Sequence, residues 1–258
     1  MSFFSKTLAA AVLLSLATTA SATKLSFWDT DGWTQMSQTA GHGDGIVGPG
    51  GGGQAFDVEF LFYKFDSATN TLSVGLQTGF DIIDGHHYTG GRDYYNGDLA
   101  LSFDGDKSTY EYAVDFGNLT KGYYGTNLGT DAAGLYSVSS WSNEVYNGHA
   151  AAHPFAMASG TFLTAGSMTE GSGWGFAAGP HDGAVGSNKK SYFNTFSFNL
   201  GALGLSGSVL NMDAHWTMSC GNDFLDATAD ITVPEPGSIA LLGLGLIGLV
   251  ACRRRQKA

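Results

Sequence analysis

The chain has 258 residues, 12 basic and 23 acidic side chains, a formal net charge of −11 and two cysteines. An acid surplus of this size repels nucleic acid and argues against DNA or RNA as a partner. One cysteine, Cys252, sits in an apolar run near the end, so Cys220 has no partner for a disulfide in the body and stability must come from an apolar core.

The first 22 residues read as a secretory signal peptide. Met1–Lys6 is weakly positive, Leu8–Leu16 is apolar, and Ala20-Ser21-Ala22 offers small residues to signal peptidase, with Ala20 and Ala22 flanking the cut and Thr23 starting the mature chain. Residues 23–232 then hold seven basic and 22 acidic side chains, a balance of −15, in a length suited to one domain. The Gly-rich stretch Gly41–Gln54 lacks the Lys and Ser or Thr of a phosphate-binding loop and is expected to be a surface loop.

From Gln54 onward, strand signals dominate. Phe56, Val58, Phe60 and Phe62 alternate with Asp57 and Glu59, and Leu72, Val74 and Leu76 alternate after an Asp66–Asn70 turn. Asp81, Asp84 and Asp98 fall in or beside a presumed loop with His86 and His87. Their hard oxygen ligands make calcium the cofactor to consider ahead of a transition metal at His86-His87, although the spacing matches neither an EF-hand nor an RTX repeat, and the expectation is no firm metal site. Leu99, Leu101 and Phe103, an Asp104-Gly105 turn, then Tyr110, Tyr112, Val114 and Phe116 read as a hairpin.

Residues 130–190 are rich in Gly, Ala and Ser and carry the weakest pattern. Trp33, Trp141 and Trp174 lie in turn-rich segments and are the candidates for stacking on sugar rings. Phe196 and Phe198, then Leu210, Met212, Ala214, Trp216, Met218 and Cys220, complete the alternation. No helical periodicity is sustained, so the body is expected to be an all-β, antiparallel β-sandwich of jelly-roll type. Catalysis is not expected. His215 and Cys220 are five residues apart on one strand and face opposite ways, and Gly171-Ser172-Gly173-Trp174 is no nucleophile elbow.

The chain closes with Val233-Pro234-Glu235-Pro236-Gly237, an uncharged run over residues 238–252, and Arg253, Arg254 and Arg255. Gly243, Gly245 and Gly248 mimic a dinucleotide fingerprint, but no acidic residue follows and the reading fails. As a helix, the 15 residues would span roughly 22 Å, short of the roughly 30 Å hydrocarbon core. Snorkelling arginines on the cytoplasmic side extend that reach, so a single transmembrane helix is expected.

Motif, apolar run and basic tail together resemble the PEP-CTERM sorting signal of Gram-negative bacteria. The resemblance implies an exosortase, a membrane protease that cuts near Pro-Glu-Pro, as the partner. The body segments "GQAFDVEFLFY", "LQTGFD", "GDLALSFDGD" and "HWTMSCGND" resemble exosortase-dependent surface proteins, a family that implies a destination rather than a reaction. The expected protein is therefore exported, held in the inner membrane in transit, and delivered to the cell surface or to an extracellular matrix with exopolysaccharide. A carbohydrate-binding module or matrix adhesin is the alternative, and a secreted hydrolase the third reading.

Overall fold

The computed structural model describes residues 24–41, 53–106, 108–146, 149–174, 190–205 and 209–233. The expected signal peptide, most of the Gly-rich loop, and the chain from Pro234 onward, including the 238–252 run and the arginines, lie outside these residues. Among the described residues no helix is long and apolar enough to cross a membrane.

The described residues form strands linked by turns and short 3-10 segments, and every strand pair is antiparallel. One sheet has five strands in the order β1 (Thr34–Gln35), β3 (Val58–Asp66), β4 (Thr71–Thr78), β14 (Lys190–Asn199) and β13 (Ser167–Trp174). The other has seven, in the order β12 (Ala156–Thr164), β11 (Gly134–Ser142), β8 (Tyr112–Asp115), β7 (Leu99–Ser102), β15 (Val209–Thr217), β16 (Phe224–Thr232) and β2 (Ser37–Gly41). Two small hairpins, β5 (His86–Thr89) with β6 (Arg92–Tyr95) and β9 (Thr120–Lys121) with β10 (Asn127–Gly129), decorate one end.

The sheets pack face to face as the expected β-sandwich. Leu72, Val74, Leu76, Phe196 and Phe198 from one sheet share a core with Leu99, Leu101, Met212, Ala214 and Trp216 from the other. These are the alternating residues of the sequence, because a strand sends every second side chain to the same face.

Two expectations need correction. The presumed loop around His86 and His87 contains the β5–β6 hairpin, whose Gly90-Gly91 turn has φ of +59° and +81°. Two consecutive left-handed residues are what a two-residue hairpin turn requires. In β3 the alternation breaks: the register with β4 shifts between Val58 and Phe60. This bulge keeps Val58 in the core, turns Leu61 inward beside it, and sends Phe60 and Phe62 to the outer face. There Phe62 stacks on Trp28 at 4.2 Å, and Phe193 packs against both Phe27 and Trp28. Gly75 makes room for this indole, since a Cβ would collide with it.

The same bulge buries Glu59 within a ring of donors. Gln54 Nε2 and Ser191 Oγ each donate to Glu59 Oε1 at 2.6 Å, and Gln77 Nε2 donates to Oε2. Gln77 is itself oriented by the indole N–H of Trp28 (2.7 Å) and the amide of Leu25 (2.9 Å), both donating to its Oε1. Burial, reinforced by nearby Asp57, raises the Glu59 carboxyl to about 8 against the influence of its donors. A second buried acid, Asp223, joins the sheets: its Oδ2 accepts from Val58 N at 2.7 Å and its Oδ1 from Phe224 N at 2.8 Å. Burial, with Asp57 next to it, holds Asp223 well above the usual carboxylate range.

An unfolded glutamate titrates near 4.5, so between that value and about 8 the folded state keeps a proton that the unfolded state has lost. Stability is therefore fully present below the unfolded value and falls as pH rises through this window. The raised Asp223 acts in the same direction. Chemical unfolding at pH 5 and pH 8.5 should show lower stability at the higher pH. A Glu59→Gln variant should flatten that slope and cost about 1–3 kcal/mol at pH 5, because its amide nitrogen must face a donor. A pH-independent wild type would contradict the assignment.

Candidate functional site

The outer face of the seven-stranded sheet is covered over β7 and part of β15, and the cover carries a cavity. β11 pairs with β8 over Gly134–Ser137, with one further bond from Val138 N to Glu111 O (2.8 Å), and then continues with β12 as a ribbon containing two register irregularities. Such irregularities bend and twist a two-stranded ribbon. The base of the ribbon is stitched down beside β7: Phe155 N donates to Ser142 O (3.0 Å), Asp98 N to Phe155 O (3.2 Å), and Met157 N to Asp98 Oδ2 (2.7 Å). Gly97 makes this closeness possible, for a Cβ there would press into Phe155 O and lie 2.7 Å from Thr217 O.

Beneath the cover, the polar face of β15 is buried. Asp213, His215 and Thr217 are each less than 5 % exposed. His215 Nδ1 lies 2.5 Å from Asp226 Oδ1 on the adjacent strand, where the two residues are register partners. The His215 ring stacks against Phe224 at 6.0 Å and tilts against Tyr110 at 5.9 Å. Val145, Ala152, Phe155, Ala156 and Phe224 form a small second core on this side.

Between the segment Ser108–Tyr110 and the bent ribbon lies a cavity of about 340 Å³. Tyr110, Val138, Trp141, Asn143, His153 and Pro154 form most of its wall, and Ser108, Thr109 and Ser139 form an exposed rim. Among the described residues, no lining residue is Asp, Glu, Lys or Arg. The Trp141 indole N–H donates to Tyr110 O at 2.8 Å, which fixes the ring as a wall. His153 precedes Pro154 through a cis peptide and hydrogen-bonds to the Asn143 backbone. Its Nε2, like that of His215, is buried without a hydrogen-bond partner among the described residues. Burial first, and the neighbouring His215 second, hold His153 below the usual imidazole range. Burial, with Asp226 and Asp213 behind it, raises the Tyr110 phenol above its ordinary value.

The three tryptophans do not form one platform. Trp141 lies in β11, not in a turn, because the ribbon extends the strand past the sheet. Trp33 belongs to the aromatic cluster on the five-stranded sheet, 5.1 Å from Trp28 and beneath Lys64 Nζ at 5.5 Å. Trp174 is the last residue of β13, opposite Lys190.

The aspartates considered for calcium are equally dispersed. Asp81 Oδ1 caps its own turn by accepting from Ile83 N and Asp84 N. Asp84 is exposed in that turn, whereas Asp98 is buried against Met157. Asp98 is pushed well above the carboxylate range by burial and by Asp115, which burial itself raises to about 6. Among the described residues no group of three or more His, Cys, Asp or Glu side chains is arranged to hold a metal ion. His86 pairs with Asp93 at 3.4 Å and His87 packs edge-on against Phe56, so the adjacent histidines serve separate contacts. Cys220 is buried in the core, and burial pushes its thiol up to about 12, far from a reactive thiolate.

The His215–Asp226 pair and the cavity above it escaped the sequence reading. A usable signal was present: β7 is buried on both faces and alternates Leu99 and Leu101 with Ala100 and Ser102, small residues that leave room for a cover. Gly97→Ala should lower stability by about 1–3 kcal/mol and loosen the cover, read as faster amide exchange at Phe155 and Met157. Unchanged exchange would show that the close approach is not needed.

The described chain ends as β16 ends. Ile231 is buried, Thr232 pairs with Val209, and Val233 packs against the main core. No curated protein and no solved structure matches the chain. Residues 232–255 match the family model of the PEP-CTERM protein-sorting motif. The described residues are thus all-β, and from the last residue of their last strand the chain carries the PEP-CTERM signal by which an exported protein is presented to an exosortase.

Proposed function

We propose that this is a non-catalytic protein of the cell surface or extracellular matrix, cut by an exosortase and retained in association with exopolysaccharide. The observation that carries the reading is the junction at Thr232. The sorting motif starts where β16 stops, so only Val233 separates the folded sandwich from Pro234, Glu235, Pro236 and Gly237. Two prolines in that segment disfavour helix and ladder pairing, which suits a sequence that a protease must grip in extended form. The apolar run and Arg253–Arg255 would hold it at the membrane during transit, after signal peptidase has acted at Ala22.

The acidic body favours solubility outside the cell and disfavours nucleic acid as a partner. A carbohydrate-binding role is favoured over a purely passive one by a single feature, the uncharged aromatic cavity at Trp141.

In a host carrying an exosortase, the full-length protein should leave the membrane fraction for the extracellular fraction. A variant with Pro234→Ala, Glu235→Ala and Pro236→Ala should accumulate in the inner membrane. The same distribution for both would overturn the proposal.

A further inference from the structure

We infer that the cavity bounded by Tyr110, Trp141 and His153 is a binding site for a neutral pyranose ring, the unit by which the sandwich would hold polysaccharide. The inference rests on the proposed matrix role and names the ligand class of that site. Its volume of about 340 Å³ lies at the low end of the roughly 300–1,000 Å³ typical of ligand clefts. A cavity of this size suits a sugar unit better than an extended peptide.

The lining selects for this chemistry. Trp141 uses its indole N–H internally, on Tyr110 O, so what it offers a ligand is its ring surface. Aromatic surface of this kind is matched by the C–H face of a pyranose. Around it stand groups that exchange hydrogen bonds with hydroxyls: Asn143 and the rim hydroxyls of Ser108, Thr109 and Ser139.

Charge decides between neutral and acidic sugars. Among the described residues no lining side chain is Lys or Arg, and burial holds His153 below the usual imidazole range, so a uronate or sulfate finds no fixed counter-ion among them. Behind the wall lie Asp213 and Asp226, close enough to raise the Tyr110 phenol, and the body as a whole is strongly acidic. An anionic sugar would therefore enter against the local field, whereas a neutral one is indifferent to it.

Isothermal titration of the full-length protein in detergent with cellohexaose, mannohexaose and a hexameric oligouronate tests the inference. Saturable binding of at least one neutral oligosaccharide, and none of the oligouronate, is expected. Trp141→Ala should weaken binding at least about ten-fold, Trp141→Phe should restore most of it, and Trp33→Phe should leave it unchanged. Because Trp141 also supports the ribbon, Ser139→Trp on the exposed rim provides a second route: it should block the cavity with no change in melting temperature. Binding of the oligouronate alone, binding of no neutral sugar, or full binding in Ser139→Trp would overturn the site. Export and sorting of these variants should match wild type, so failure of the sugar site is distinguishable from failure of the proposed sorting.

Discussion

The β15–β16 hairpin is the interaction on which the rest of the molecule depends. Nine register pairs run from Val209–Thr232 to Thr217–Phe224, and the ladder is used on both faces and at both ends. Its inner face gives Met212, Trp216 and Leu225 to the core. Its outer face gives His215, Asp226 and Phe224 to the floor beneath the cavity. Between its strands, Asp223 reaches the first residue of β3 and ties the two sheets. Its open end releases the chain at Val233, where the sorting motif takes over. A shift of one residue in this ladder would exchange the two faces and misplace all of these features together.

Local covers over the outer face of each sheet explain the placement of its buried acids. A sandwich with wet outer faces would leave Glu59 and Asp98 in water, whereas Asp223 is buried between the sheets. Here the N-terminal aromatic segment covers one sheet and the bent β11–β12 ribbon covers the other, and the acids stay beneath. Each is supplied with donors from backbone or side chain, since an unmatched buried carboxylate would be far more costly. The result is a fold whose buried carboxyls are raised together, which favours acidic over alkaline conditions.

Much of the inner core was legible in the sequence, and for a physical reason. Period-two alternation reports which side chains share a face, and Leu72–Leu76, Leu99–Phe103 and Leu210–Cys220 all reached the core as that pattern implies. What alternation cannot report is a bulge or a cover. The bulge after Val58 inverted Phe60 and Phe62, because a single extra residue exchanges the faces of everything beyond it. The cavity depends on Trp141 in β11 meeting Tyr110 and His153 across gaps of 31 and 12 residues, contacts that only tertiary packing creates. By contrast, the sorting signal was readable because it is linear: a protease reads its motif as extended chain, so composition and order suffice.

The folded strands thus run directly into the sorting motif, with a single residue between the end of β16 and Pro234, and the proposed cut falls at that join. Mass spectrometry of the mature C-terminus, from otherwise identical strains with and without the exosortase, tests this most directly. A terminus between Val233 and Gly237 that appears only when the enzyme is present is the predicted result. An intact Ala258 in both strains, or a cut upstream of Ile231 inside β16, would contradict it.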